Sequence, residues 1–172
     1  MRALLSMLIY ASGVMLAEAT SGEIPRDFRV VAIFVAGVGN APAGDGITAI
    51  TVTITADGKT VLKSAGYFGP NHRVATRVQT SHLATARVDE IVAVTQRARF
   101  FSLPGYSLDG AEDSLGYVLT ITANGRTHRV DVTPPFERIR ELRRFRAVWT
   151  SVMRAVPSPL GRVASHHLEK YI

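Results

Sequence analysis

The chain has 172 residues, with 20 Lys and Arg against 14 Asp and Glu, and no cysteine. Disulfides, thiolate metal sites and a cysteine nucleophile are thereby excluded, while 47% hydrophobic residues suffice for a core of one ordinary domain without staples. Arginine outnumbers lysine by 17 to 3, and residues 126–154 alone hold eight arginines against Asp131, Glu137 and Glu141.

The opening MRALLSMLIYASGVMLAEAT places Arg2 before an apolar run from Ala3 to Ala17 and ends in Ala17-Glu18-Ala19. A base, an apolar stretch too short to span a bilayer and a small-x-small site predict a signal peptide, 1–19, cleaved after Ala19, with an uncleaved anchor as the alternative. Its loss removes one base and one acid, Arg2 and Glu18, so the net charge stays at +6. The expected organisation is a single domain over 20–156 and a C-terminal tail over 157–172. The expected location is periplasmic or secreted.

DFRVVAIFVAG (27–37) reads as a mostly buried strand, and GVGNAPAGDG (37–46) as a loop. In ITAITVTIT (47–55), Ile50, Val52 and Ile54 alternate with Thr51, Thr53 and Thr55, which predicts a half-buried strand with a threonine-lined outer face. Two near-identical octapeptides follow the strand pattern, TITADGKT at 53–60 and TITANGRT at 120–127. Asp57-Gly58 and Asn124-Gly125 are the dipeptides of two-residue hairpin turns, in which both central residues take positive φ. Each has an alternating strand before it and a further strand after it, so both octapeptides are predicted hairpin tips with the same turn. Neither carries the oxygen-ligand series of a calcium loop.

A further strand is predicted over His72–Thr80, then a helix over Ala86–Arg99 capped by Thr85, with Val88, Ile91, Val92, Thr95 and Ala98 on one face. Phe100, Phe101 and Leu103 should pin its exit to the core, and Pro104-Gly105 should end it. After the second hairpin, Pro134-Pro135 opens a second helix whose apolar side runs from Phe136 through Trp149 to Val156. The order β-β-β-β-α-β-β-α predicts an α+β fold: an antiparallel sheet of five to six strands built from hairpins, with two amphipathic helices on one face.

No catalytic constellation is complete. The loop 37–46 lacks the third glycine and the following helix of a dinucleotide site, and Asp45-Gly46 stands where a P-loop needs lysine and a hydroxyl. Ser107 lacks the glycine of a nucleophile elbow at Asp109, although His72, His82 or His128 could supply a base. Asp109, Glu112 and Asp113 form an acidic loop cluster able in principle to hold a cation. His166, His167 and Glu169 have metal-capable atoms but sit in the tail. No catalytic residue, cofactor or metal ligand is therefore assigned.

The segments ITVTITADGKTV, TARVDEIVAVTQRARFFSLP and LTITANGRTHRV, with the intervening acidic loop and the final helix, resemble a family of secreted bacterial α+β domains of unknown function. The likeness spans Ile47 to Val156. In that family a glycine- and cysteine-rich segment with a C-x-x-x-C-P-like core precedes the first of these strands. Here GVGNAPAGDG keeps the glycines and has no cysteine. The resemblance implies an extracytoplasmic module and brings no catalytic residues.

Three functional expectations follow. The first is an exported, non-catalytic binding domain whose partner is a protein or an anionic envelope component. The second is a small hydrolase using Ser107 or an acidic-loop metal. The third is anionic-polymer binding by Arg138, Arg140, Arg143, Arg144 and Arg146 on the second helix, against the plainer reading of a solvated basic face. Export makes nucleic acid the less suitable polymer.

Overall fold

The computed structural model describes residues 23–35, 46–68, 73–105, 116–133 and 139–156. The predicted signal segment, the glycine loop up to Asp45, His72, the acidic loop with Ser107, the start of the second helix including Arg138, and the tail lie outside the described residues.

Six strands and two helices follow in the predicted order: β1 Arg29–Val35, β2 Gly46–Thr55, β3 Lys59–Phe68, β4 Arg73–His82, α1 Thr85–Arg97, β5 Gly116–Ala123, β6 Arg126–Val132 and α2 Ile139–Ala155. A 3₁₀ turn, Phe100–Ser102, follows α1. All neighbouring strands are antiparallel, in the order β4-β3-β2-β1-β5-β6. The first strand is thus central, between β2 and β5, a placement that alternation within single strands does not reveal.

The alternation decides which face is buried. Val30, Ala32 and Phe34 of β1, Ile50, Val52 and Ile54 of β2, and Tyr117, Leu119 and Ile121 of β5 point into one core. Val88, Ile91 and Val92 of α1 and Phe145, Trp149 and Val152 of α2 join the same cluster, so both helices cover this face. Each fully buried aliphatic or aromatic side chain of this kind contributes about 1.5–3 kcal/mol. Trp149 meets Tyr117 edge-on at 5.3 Å and stacks with Phe145 at 6.0 Å. The other face carries half-exposed Thr51, Thr53, Thr55, Thr120 and Thr122. At the β4 edge, residues 75–80 are exposed on both faces, because the helix layer does not reach over them.

The two octapeptides do not share a turn. In the second, Asn124 and Gly125 have φ of 53° and 71°, Ala123 pairs with Arg126, and the loop has the two residues expected. In the first, Gly58 has φ of 86° while Asp57 is not in the positive region, and Gly58 N–H donates to the Thr55 carbonyl at 2.9 Å. That is a three-residue loop, Ala56-Asp57-Gly58, ending in a glycine bulge. The Asp57 carboxylate is held locally, accepting from the Thr55 hydroxyl and the Lys59 N–H. The extra loop residue slips the register by one, which exchanges the faces. Thr60 pairs with Ile54 and is 1% exposed in the core, whereas its counterpart Thr127 pairs with Thr122 outside, their hydroxyls 3.0 Å apart.

The start and end of α1 also differ from expectation. Thr85 is the first helical residue, and Ala84 is the cap, its carbonyl accepting from Arg87 N–H at 2.9 Å with no side-chain cap bond. The helix stops at Ala98, before Pro104, because Arg99 turns left-handed at φ 48°. Phe100 and Leu103 are buried beyond it, as the sequence predicts.

Candidate anion-binding groove

A left-handed arginine is a strained way to end a helix, and the partner that holds it comes from α2. The Arg144 guanidinium donates through Nε to the Ala98 carbonyl at 2.7 Å, and through Nη2 to the Arg99 carbonyl at 2.6 Å and the Ser102 hydroxyl at 2.8 Å. The two carbonyls lie just past the α1 C-terminus, where the helix dipole favours a cation, and the Arg99 carbonyl also accepts from Ser102 N–H at 3.0 Å. Arg144, predicted as part of an anionic-partner surface, is thus engaged in joining the helices.

β4 and β6 run in opposite directions in the sheet order, so the helices that follow them return antiparallel. The beginning of α2 lies beside the end of α1, as the Arg144 bonds require. Between them, on the side away from the sheet, lies an open groove of about 600 Å³. Its α1 wall is Arg87, Glu90, Val94, Arg97 and Ala98, and its α2 wall is Arg143, Arg144, Ala147, Ser151 and Arg154. Both walls repeat at helical spacing.

Five arginines and one carboxylate line this space. Glu90 is paired with Arg87 at i,i+3, an exposed contact worth little to stability. Arg97, Arg143 and Arg154 are exposed and have no hydrogen-bond or ion-pair partner among the described residues. Their charges are therefore available to an incoming anion, and a planar guanidinium suits the two oxygens of a carboxylate or phosphate. The Ser151 hydroxyl is buried in the α2 wall, also without a hydrogen-bond partner among the described residues.

Of the predicted surface, Arg143 and Arg144 line the groove, while Arg140 and Arg146 lie on α2 without lining it. Arg87, Arg97 and Arg154 were not predicted for the site: the first two belong to α1, and Arg154 lies at the far end of α2, two turns past the cluster 138–146. The pattern that would have found them is the stripe Arg87, Glu90, Val94, Arg97 on the side of α1 opposite Val88 and Val92.

The histidines do not converge. His82, exposed, ends β4 with Nδ1 3.2 Å from the Leu83 carbonyl, and half-buried His128 lies on β6 with Nε2 2.9 Å from the Leu103 carbonyl. They occupy opposite edge strands, about 24 Å apart at the usual spacing of five strand intervals. His128 packs against Phe100 and Phe101 at 5.6 and 6.2 Å, and Arg126 lies over Phe101 at 5.4 Å. Among the described residues no three His, Asp or Glu side chains cluster as a metal site would require, and no helix is long and apolar enough to cross a membrane. No family model matches the chain, and no curated protein matches it significantly.

Proposed function

We propose that the protein is an exported, non-catalytic binding domain whose partner is anionic and is held between α1 and α2. The observation that carries this reading is the lining of the groove, five arginines against one carboxylate that is already paired. Arg144 fixes the two walls to each other, so the other arginines are presented from rigid elements and lose less freedom on binding than loop residues would. Export is supported by the signal-like segment 1–19, and the resemblance to secreted α+β domains agrees with it.

Poly-glutamate, a carboxylate polymer without sequence information, tests the reading. The chain should bind it at low salt and release it as ionic strength rises, since exposed charges are screened. The double substitution Arg97→Glu with Arg143→Glu should abolish binding while leaving the fold intact, because both side chains are exposed and have no partner among the described residues. Binding unchanged in the double variant would move the site elsewhere, and no binding by the native chain would reject it.

A further inference from the structure

Resting on the anion-binding reading above, we infer that the occupant of the groove is an extended acidic peptide segment, with a carboxylate at each end of a short run of small apolar residues. The positions of the charges make the case. Arg97 and Arg143 stand at one end of the groove, and Arg87 and Arg154 at the other. Ten residues separate the two arginines on α1 and eleven those on α2, which at 1.5 Å per residue sets the ends about 15 Å apart. Between them Val94 of α1 and Ala147 of α2 present carbon, and the Ser151 hydroxyl is buried in the wall.

A polymer charged on every repeat, poly-glutamate or a phosphodiester chain alike, can bind through the charges that reach the two ends, but sets its other anions over that apolar middle and is the weaker fit. A chain charged only at its ends leaves none there. A helical segment would need about ten residues at 1.5 Å each to reach both ends, and an isolated helix that short is marginal in water. An extended strand, at about 3.3 Å per residue, crosses the same distance in four to five residues.

Glu90 fits this assignment. Its carboxylate already occupies Arg87, taking the place that one end of the peptide would fill. An incoming carboxylate there competes with Glu90 for Arg87, so the chain carries its own weak competitor at one end and, among the described residues lining the groove, none at the other.

NMR titration of the full chain with terminally blocked peptides of the form Glu-spacer-Glu tests the inference, with spacers of one or four alanine and valine residues. The four-residue spacer should bind at least tenfold more tightly than the one-residue spacer, which reaches one end at a time. Arg154→Ala should remove that advantage and leave the one-residue peptide bound at Arg97 and Arg143, and Glu90→Gln should tighten the longer peptide several-fold. Equal affinity for both spacers, with binding still lost in Arg97→Ala, would overturn the two-ended peptide and leave anion binding standing. A short single-stranded oligonucleotide that displaced the longer peptide at equal charge would overturn the choice of a peptide. No binding by either peptide or by poly-glutamate would end both readings.

Discussion

The Asp27 carboxylate accepts the backbone N–H of Asn124 at 2.8 Å through one oxygen and that of Gly125 at 2.6 Å through the other. A residue just ahead of β1 thus holds the tip of a hairpin formed 97 residues later. The tip needs such a partner because a two-residue loop turns its N–H groups outward, away from the ladder. The bond from Gly125 N–H, the largest influence, together with the lesser one from Asn124, holds the Asp27 carboxyl below its ordinary value of 3.8 in spite of desolvation, which acts to raise it. Asp27→Asn should therefore lower Tm at neutral pH. Since the folded pKa is depressed, the contribution is fully present above the unfolded pKa and lost as pH falls through the folded one. The Tm gap between native and variant proteins should close as pH drops below about 3.8, and a gap independent of pH would remove the ionic role of Asp27.

Gly58 and Gly125 occupy corresponding places in the twin octapeptides but should not respond alike. A Cβ on Gly58 would stand 2.4 Å from the Leu83 carbonyl oxygen, whereas one on Gly125 would meet nothing within 4 Å. Gly125→Ala bears only the cost of a left-handed alanine, about 1–2 kcal/mol. Gly58→Ala must also push apart the tip and the link into α1, where Leu83 N–H donates to the Gly58 carbonyl at 2.9 Å; about 3 kcal/mol or more is expected. Urea denaturation of the two variants makes the comparison. Equal losses would contradict the tight contact at Gly58.

Adjacent arginines on α2 should separate just as clearly. Arg144 makes three hydrogen bonds to the end of α1, and Arg144→Ala is expected to cost about 1.5–3 kcal/mol, the range for bonds to a charged group. Arg143 has no partner among the described residues, so Arg143→Ala should stay within about 0.5 kcal/mol while weakening poly-glutamate binding. Chemical denaturation and the binding assay together distinguish the structural arginine from the ligand-facing one.

Ser151 offers a substitution expected to help. Its buried hydroxyl has no hydrogen-bond partner among the described residues, so the native fold carries a desolvation cost of about 1–3 kcal/mol that Ser151→Ala would relieve. Unchanged or raised stability is expected. A clear loss would show that the hydroxyl has a partner, such as an ordered water.

For export, the protein recovered outside the cytoplasm should begin at Thr20, which intact-mass measurement reads directly. Retention of Met1 would favour the anchor.

Element order, the two hairpins and the shared helix-covered face were all legible in the chain, because period-two and helical spacing report burial directly. The turn at Asp57 was not. Asp-Gly and Asn-Gly both permit the same loop; the first has the Asp57 carboxylate bonded to Thr55 and Lys59, whereas the second has its tip held by Asp27, a contact that local sequence does not reveal. Thr60 shows the effect of that difference, since its local sequence matches that of Thr127 and its environment is the opposite. The groove was half legible. The arginines of α2 were visible as a cluster, but the wall opposite them depends on the antiparallel return of two helices 42 residues apart, counted from Arg97 to Ile139.

The central place of β1 bears on how the chain assembles. β1 to β4 pair in sequence, and β5 with β6, but Arg29 meets Thr122 only across a separation of 93 positions. Such distant pairing is slow to form. Until residue 116 is available, RVVAIFV stands as an open, uncharged rim beyond its single arginine, a template for neighbouring unfinished chains. Late synthesis of β5 therefore leaves an interval in which a chaperone, or retention in an unfolded translocating form, would protect this polypeptide from coalescing with its copies.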